Sequence, residues 1–502
     1  MTALIREGVG ILRVDNFHLA NSRLKDIAIS HRGRKITYEE MEEHVQRFAG
    51  YLKSLGVKEG DRVALTAPNS PEFIFSFWAV NRIGAVAVPL NLFLTLEEVG
   101  YVIRNSGAET LIAHPVILEK AASVDLSTLG LKNVVVLNQD TLKDIYTSEK
   151  YTQGSAHLGD ECLSAILYTS GTTGKPKGAM LTHKNFYSNV ISLTKVTEIT
   201  RDDNFLCVLP MFHSFAWTVC VLLPLYCGGT VVVLEGFQPS ETIRTLVEEK
   251  VTFLLGVPPM YAVFLKKAEP EHFKEVRIAV SGGAPLFPEL YKAFTNKFSV
   301  NFIEGYGLTE ASPVVCINPV HGVKKPGSIG LPIPGVSVII GDEYGNEAPQ
   351  GEIGEILVKG DNVMQGYYGD EEATKQAFVN GWLRTGDMAW ADKDGYIYIV
   401  DRKKDLIIVG GFNVYPREIE ELLLTHPKIA EVAVVGIKDT LKGEVPKAFI
   451  VPVEGESLTA GEVLAFLKGK LAPYKIPRAV EFVESLPKNP AGKIMKKLLK
   501  EN

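Results

Sequence analysis

The chain has 502 residues, 46% hydrophobic and 22% charged, with 53 Lys and Arg against 59 Asp and Glu, a net charge of −6. At about 100–200 residues per domain, that length predicts two to four domains. The mild acidity excludes a general nucleic-acid binder, which carries a basic footprint. Ample apolar content without biased tracts excludes low-complexity disorder.

Elements follow in a regular order. Thr37-Tyr38-Glu39-Glu40 is a capping box, and the amphipathic segment behind it predicts a helix running to Gly56. A strand is expected at 63–66, a turn at Pro68-Asn69, a helix from Pro71 and a strand at 85–89. The rhythm continues with apolar runs at 110–113, 134–137, 165–169, 205–209, 230–234, 252–255, 278–280 and 300–303. Short runs apolar on both faces, set between helical patterns, predict parallel strands covered on both sides. The expected class is therefore α/β, with Gly- and Ser-rich turns after strands, where such folds place ligands. From 327 to 399, Gly, Pro and alternating strands predict a smaller β-rich subdomain. The charge run Asp401-Arg402-Lys403-Lys404-Asp405 is either a solvated turn or an interdomain joint. Beyond it, a helix at 416–424, a strand at 432–436 and a helix at 458–471 predict a compact α+β unit of about 100 residues.

Charge divides unevenly at this joint. Residues 404–502 carry 15 basic and 13 acidic side chains, net +2, which leaves −8 on 1–403. The stretch 488–500 has five lysines and no acid, either a solubilising tail or a basic lid over a polyanion. Five scattered cysteines (Cys162, Cys207, Cys220, Cys227, Cys316) form no C-x-x-C pair and read as idle thiols of a reducing compartment. The start lacks the apolar core of a signal peptide. The most apolar window, 217–227, is about half the length of a membrane-spanning helix. Lys500-Glu501-Asn502 is not a peroxisomal ending. The expectation is a cytoplasmic chain with no integral membrane segment.

The strongest motif is Tyr168-Thr169-Ser170-Gly171-Thr172-Thr173-Gly174-Lys175-Pro176-Lys177-Gly178, directly after an apolar run. Its glycines let backbone approach a ligand closely, its hydroxyls and N–H groups can donate to phosphate oxygens, and its two lysines add charge. It is not a Walker A loop: only two residues separate Gly171 from Gly174, and Pro176 follows Lys175.

This segment resembles the signature of the acyl-adenylate-forming superfamily, which includes acyl-CoA synthetases, adenylation domains and firefly luciferase. The resemblance extends in order through Pro210-Met211-Phe212-His213, Ser281-Gly282-Gly283-Ala284-Pro285 and Gly305-Tyr306-Gly307-Leu308-Thr309-Glu310. It continues through Gly381-Trp382-Leu383-Arg384-Thr385-Gly386-Asp387, the 401–405 charge run and Gly410-Gly411-Phe412-Asn413-Val414-Tyr415-Pro416. Pro487-Lys488-Asn489-Pro490-Ala491-Gly492-Lys493 completes it. It spans nearly the whole chain, and it is closest to bacterial medium- to long-chain fatty acid–CoA ligases.

The resemblance implies a large N-terminal adenylate-forming region, 1–403, that binds ATP and the acid, and a small mobile C-terminal domain, 404–502. Gly282, Gly283 and Ala284 would admit a flat adenine, and Tyr306 would stack on it. Glu304, Gly305, Gly307 and Ile399 are further nucleotide-binding positions, and Thr309 would bond phosphate oxygens. Glu310 would hold Mg²⁺, a hard cation that takes few carboxylates beside phosphate. Asp387 would accept the ribose hydroxyls and Arg402 would donate to the same ribose. Lys493, in isolation a solvated lysine of a basic tail, would bridge the substrate carboxylate and the α-phosphate, stabilising charge gathered there. His213 would lie at the acid pocket, with Trp217 as its gate and Phe215 as core packing. Lys404 would be the hinge, and Gly410-Gly411 would line a CoA tunnel.

The implied activity is ATP-dependent ligation of a carboxylic acid, a fatty acid foremost, to coenzyme A through an acyl-adenylate. An aryl-acid ligase and a stand-alone enzyme that loads an acyl carrier protein in trans stay open as alternatives. So does a nucleotide sensor without catalysis, which would release no pyrophosphate. A homodimer is compatible with the sequence.

Overall fold

The computed structural model describes residues 13–120, 126–153, 157–169, 175–488 and 494–500. The chain divides into two compact units: Met1–Lys324 with Gly330–Ser337 and Val358–Leu383, and Lys325–Ile329 with Val338–Leu357 and Arg384–Asn502.

Two sheets carry the larger unit. The first has six strands, in the order Asn133–Val136, Thr110–Ala113, Arg62–Thr66, Val86–Pro89, Leu163–Thr169 and Lys177–Thr182. All are parallel except the last, which runs antiparallel to Leu163–Thr169. The second has nine strands with a parallel centre that includes Asn204–Cys207, Phe253–Gly256, Ile278–Ser281 and Asn301–Gly307. Runs such as Val63-Ala64-Leu65 are apolar without alternation and wholly buried, as strands between helices must be. The apolar runs expected as parallel strands pair in parallel with one another, and the antiparallel members are additional strands at the sheet edges. The edge strand Arg34–Thr37 buries only Ile36 fully, and its polar alternation hid it among turn residues.

Helix starts follow the local chemistry. Thr37 Oγ1 accepts from the Glu40 N–H, and Glu40 Oε2 accepts from the Thr37 N–H, so Tyr38–Ser54 begins at the capping box. Ser70 caps Pro71–Arg82, with Pro71 in its first turn. Every residue of that helix except Glu72 is buried.

In the smaller unit, Ile429–Asp439 and Gly443–Pro452 form a long antiparallel pair, flanked by Ile407–Val409, Phe412–Val414 and Ala479–Phe482. Side chains alternate between its faces. Val432, Val434, Ala448 and Ile450 meet Ile419, Leu423, Val463 and Leu467 of the two helices. Ala433, Val435 and Phe449 meet Leu486 and Leu499. The helix expected over 458–471 is shorter, Ala460–Leu467: a Thr459/Glu462 capping box sets its start, and Gly469 at φ +80° stands just beyond its end. Among the described residues no helix is long and apolar enough to cross a membrane.

Candidate active site

The signature motif connects two paired strands. Thr169, ending Leu163–Thr169, lies opposite Lys177, which opens Lys177–Thr182. Ser170, Gly171, Thr172, Thr173 and Gly174 lie outside the described residues. The two lysines beyond them rest on aromatic faces: Lys175 Nζ is 5.8 Å from the centroid of Tyr101, and Lys177 Nζ 5.3 Å from that of Tyr367.

Two neighbouring parallel strands deliver the next motifs together. Ser281 at the end of Ile278–Ser281 pairs with Glu304 of Asn301–Gly307, so Gly282-Gly283-Ala284 and Gly305-Tyr306-Gly307 leave the same sheet edge side by side. Glycine is required here by space. A Cβ at Gly307 would collide with the Pro313 carbonyl, and one at Gly282 would lie 3.1 Å from the Phe215 ring. Glu304 is buried, and its Oε1 accepts the Leu286 N–H.

These turns line a cavity of about 70 Å³ with His213, Ser214, Phe215, Thr309, Phe205 and Phe253 among its walls. Among the described residues no Asp, Glu, Lys or Arg lines it. His213 and Thr309, distant in sequence, thus share one cavity, and Ser214 Oγ lies 3.2 Å from Thr309 Oγ1. The His213 ring is exposed, with Nδ1 accepting the Phe215 N–H.

Trp217 does not line this cavity. It is 1% exposed, packed against Phe73, Phe77 and Trp78 with centroid separations of 5.6, 4.2 and 5.4 Å. The turn Ala216–Leu222 is a π-helix. Phe215 at its threshold faces the cavity, whereas Trp217 points into the core. Phe215 is thus one of the aromatic walls of the cavity, with Phe205 and Phe253, and Trp217, expected at its gate, lies in the adjoining core. Aromatics at positions 73, 77 and 78 of one helix were the available signal that a large ring would be enclosed there.

Glu310 begins a short turn with Thr309. Its Oε1 accepts a hydrogen bond from the Tyr367 hydroxyl at 2.8 Å and lies 3.5 Å from Thr169 Oγ1. Burial, and then the Glu310 charge, raise the Tyr367 hydroxyl well above the ordinary tyrosine range, so it stays a donor. A half-exposed carboxylate among hydroxyls is a set of hard oxygen donors, which fits magnesium. Among the described residues no group of three His, Cys, Asp or Glu converges. Tyr367 escaped the sequence reading because a tyrosine after a glycine in a loop carries no pattern of its own.

The smaller unit brings Asp387 and Arg402 together. They pair across an antiparallel ladder, with Arg402 Nε 3.2 Å from Asp387 Oδ1, and Asp387 is only 6% exposed. Ile399 pairs with Ala389 on the same ladder. Lys404 is exposed on the turn Lys403–Asp405, between Ile397–Arg402 and Ile407–Val409. Gly410 and Gly411, both at positive φ, make the two-residue turn between Ile407–Val409 and Phe412–Val414. Lys493 lies outside the described residues. Its flanks are fixed: Lys488 pairs with Ile494, the Met495 N–H donates to Pro487 O, and Lys496 Nζ is 2.7 Å from Glu420 Oε1.

A mixed α/β body with small-residue turns at its strand ends, followed by a compact α+β unit, is the architecture of adenylate-forming enzymes. The chain belongs to the AMP-binding enzyme family: its residues 17–368 match that family, and residues 418–493 match the AMP-binding enzyme C-terminal domain. It is 39% identical to a feruloyl-CoA synthase of Amycolatopsis sp over 474 residues, 93% of this chain and 94% of that one. A long-chain-fatty-acid–CoA ligase of Bacillus subtilis (strain 168) is 34% identical over 514 residues, 94% of this chain and 91% of the other. Among solved structures, ATP-bound MatB from Rhodopseudomonas palustris is 35% identical, with a TM-score of 0.92 over 98% of this chain and 99% of that one.

Proposed function

We propose that this chain is an ATP-dependent acid–CoA ligase whose acid carries an uncharged, apolar tail, a fatty acid on the first reading. In the first half-reaction a carboxylate oxygen attacks the α-phosphorus of ATP, and the bond to the bridging oxygen breaks, releasing pyrophosphate. In the second the CoA thiol gives up its proton, sulfur attacks the acyl carbon, and the carbon–oxygen bond to AMP breaks.

The observation that carries this reading is the cavity itself, which meets Thr309 and the glycine turns, has mostly apolar walls and, among the described residues, is lined by no Asp, Glu, Lys or Arg. A charged tail would lose hydration there without a partner, whereas an apolar tail gains about 25 cal/mol per Å² buried. Thr309 and the signature hairpin hold phosphate oxygens, and Asp387 and Arg402 hold the ribose. Lys493 brings carboxylate and phosphate together. Magnesium held by Glu310 would neutralise phosphate charge as pyrophosphate departs. The segment 404–502 turns about Lys404 between the half-reactions, and the Gly410-Gly411 turn lines the path of the CoA thiol. The aromatic walls Phe205, Phe215 and Phe253 also suit a flat ring, so an aryl acid is the second reading.

One panel tests both: pyrophosphate release with short, medium, long and aryl acids, with and without CoA. Acid-dependent release and CoA-dependent turnover are expected, with the acid profile choosing between the readings. No release with any acid overturns the proposal. Turnover with an acyl carrier protein but not CoA makes the chain a carrier loader.

A further inference from the structure

We infer that Tyr367 is a positioning residue for the Glu310 carboxylate, holding Oε1 so that Oε2 is the oxygen presented to a magnesium ion. The inference rests on the reading of Glu310 as the magnesium ligand of the proposed ligase.

The geometry is over-determined from both sides. A carboxylate offers two oxygens and about four lone-pair directions. Both hydroxyls near Glu310, those of Tyr367 and Thr169, approach Oε1, and among the described residues Oε2 accepts no hydrogen bond. The backbone of the same turn is held as well: the Met364 N–H donates to Glu310 O at 2.8 Å, and Asn362 Nδ2 to Ala311 O at 2.9 Å.

Tyr367 itself has little freedom. The Gln365 N–H donates to Met180 O, the Met180 N–H to Gly366 O, and the Tyr368 N–H to Gly178 O, which stitches this segment onto Lys177–Thr182. The Tyr367 N–H donates to Thr374 Oγ1 at 2.9 Å. Its ring face carries the Lys177 ammonium. One side chain thus touches both the candidate metal ligand and a lysine of the phosphate-binding hairpin. Without the hydroxyl, the carboxylate could swing about its terminal torsion, and ordering it would be charged against metal binding. Partners of metal ligands typically contribute about 10–100-fold to metal affinity.

The test is binding of a non-hydrolysable ATP analogue by calorimetry, with magnesium titrated from none to excess, for the full chain and for Tyr367→Phe, Glu310→Gln and the double variant. Phenylalanine keeps the ring and removes only the hydroxyl. Tyr367→Phe should raise the magnesium concentration at half-saturation by ~10-fold or more, and leave metal-free nucleotide affinity unchanged. In the Glu310→Gln background it should change nothing further. An unchanged magnesium midpoint overturns the proposal. So does an equal loss with and without magnesium, which would put the hydroxyl to work on the fold or the phosphate hairpin. If the unaltered chain binds the analogue without any response to magnesium, the assignment of Glu310 falls, and the role of Tyr367 with it. The ligase reading is then judged separately, by pyrophosphate release.

Discussion

The two units hold their candidate functional groups by opposite means. The larger sets neutral donors, the hydroxyls of Ser214, Thr309, Thr169 and Tyr367 and small-residue turns, beside single charges that are not ion-paired to one another, the Glu310 carboxylate and lysines resting on tyrosine rings. Its strongest charge network is elsewhere, buried around Arg13, Asp15, Arg82 and Glu42. The smaller unit uses ion pairs throughout, Asp387–Arg402, Lys496–Glu420 and Lys488–Glu431. Neutral donors are little affected by salt, whereas exposed ion pairs are screened. A preorganised pocket and a charged arm therefore respond differently to substitution, pH and ionic strength.

The largest expected effect tests the rigid side. Trp217→Ala should cost about 3–5 kcal/mol of stability, because it empties space among Phe73, Phe77 and Trp78. Urea unfolding measures this. The acid profile of the protein that stays folded should be unchanged, while Phe215→Ala should shift it toward bulkier acids. A changed profile with unchanged stability for Trp217→Ala would return that residue to the pocket wall.

The charged arm is tested by Lys493→Ala. Pyrophosphate release should fall by about 10²–10³-fold, the scale for losing one preorganised group that stabilises developing charge. Thioester formation from a supplied acyl-adenylate should survive. Equal loss of both half-reactions would sink the assignment.

The internal network of the larger unit makes a pH prediction. Burial pushes the Glu42 carboxyl up, but hydrogen bonds from His18 and Arg82 overcome it and bring it down to about 2. A carboxyl depressed by folding stabilises above its ordinary range near 4.5 and loses that contribution as pH falls toward 2. The contribution at neutral pH is about 3 kcal/mol. Glu42→Gln should therefore be less stable at pH 7 and show a flatter loss of stability on acidification, followed by denaturant midpoints. Identical acid profiles for the two proteins would remove this network from the account.

The fold was legible in the sequence where local physics is decisive, and less so where partners are distant. Capping residues marked Tyr38–Ser54, and unbroken apolar runs marked the central strands. Arg34–Thr37 and Lys177–Thr182 were missed because edge and antiparallel strands are polar enough to read as turns. The motif order pointed to His213, Thr309, Asp387 and Arg402, and the structure brings these together as two pairs, one in each unit. Which of Phe215 and Trp217 faces the cavity was not legible, because their directions depend on a π-helical turn and on a helix over a hundred residues earlier. Tyr367 was invisible for the same reason, since its meaning lies in a hydroxyl 2.8 Å from a carboxylate 57 positions away.

The smallest effects separate two lysines flanking Lys493. Lys496 and Glu420 are 17% and 13% exposed, and Glu420 also accepts the Val434 N–H, so the pair is fixed in a dry setting. Lys488 and Glu431 are 34% and 38% exposed, within reach of water and salt. Lys496→Met leaves a nearly buried carboxylate without its cation and should cost about 2–3 kcal/mol, at the low end for a broken buried pair. Lys488→Gln should cost less than about 1 kcal/mol, and the difference should vanish in molar salt. Guanidine itself screens charge, so urea at two salt concentrations is the appropriate denaturant. Equal costs for the two variants, or equal salt dependence, would show that the arm bearing Lys493 is held by backbone pairing at Lys488 and Ile494 and by Leu486 and Leu499 beneath it, rather than by its charges.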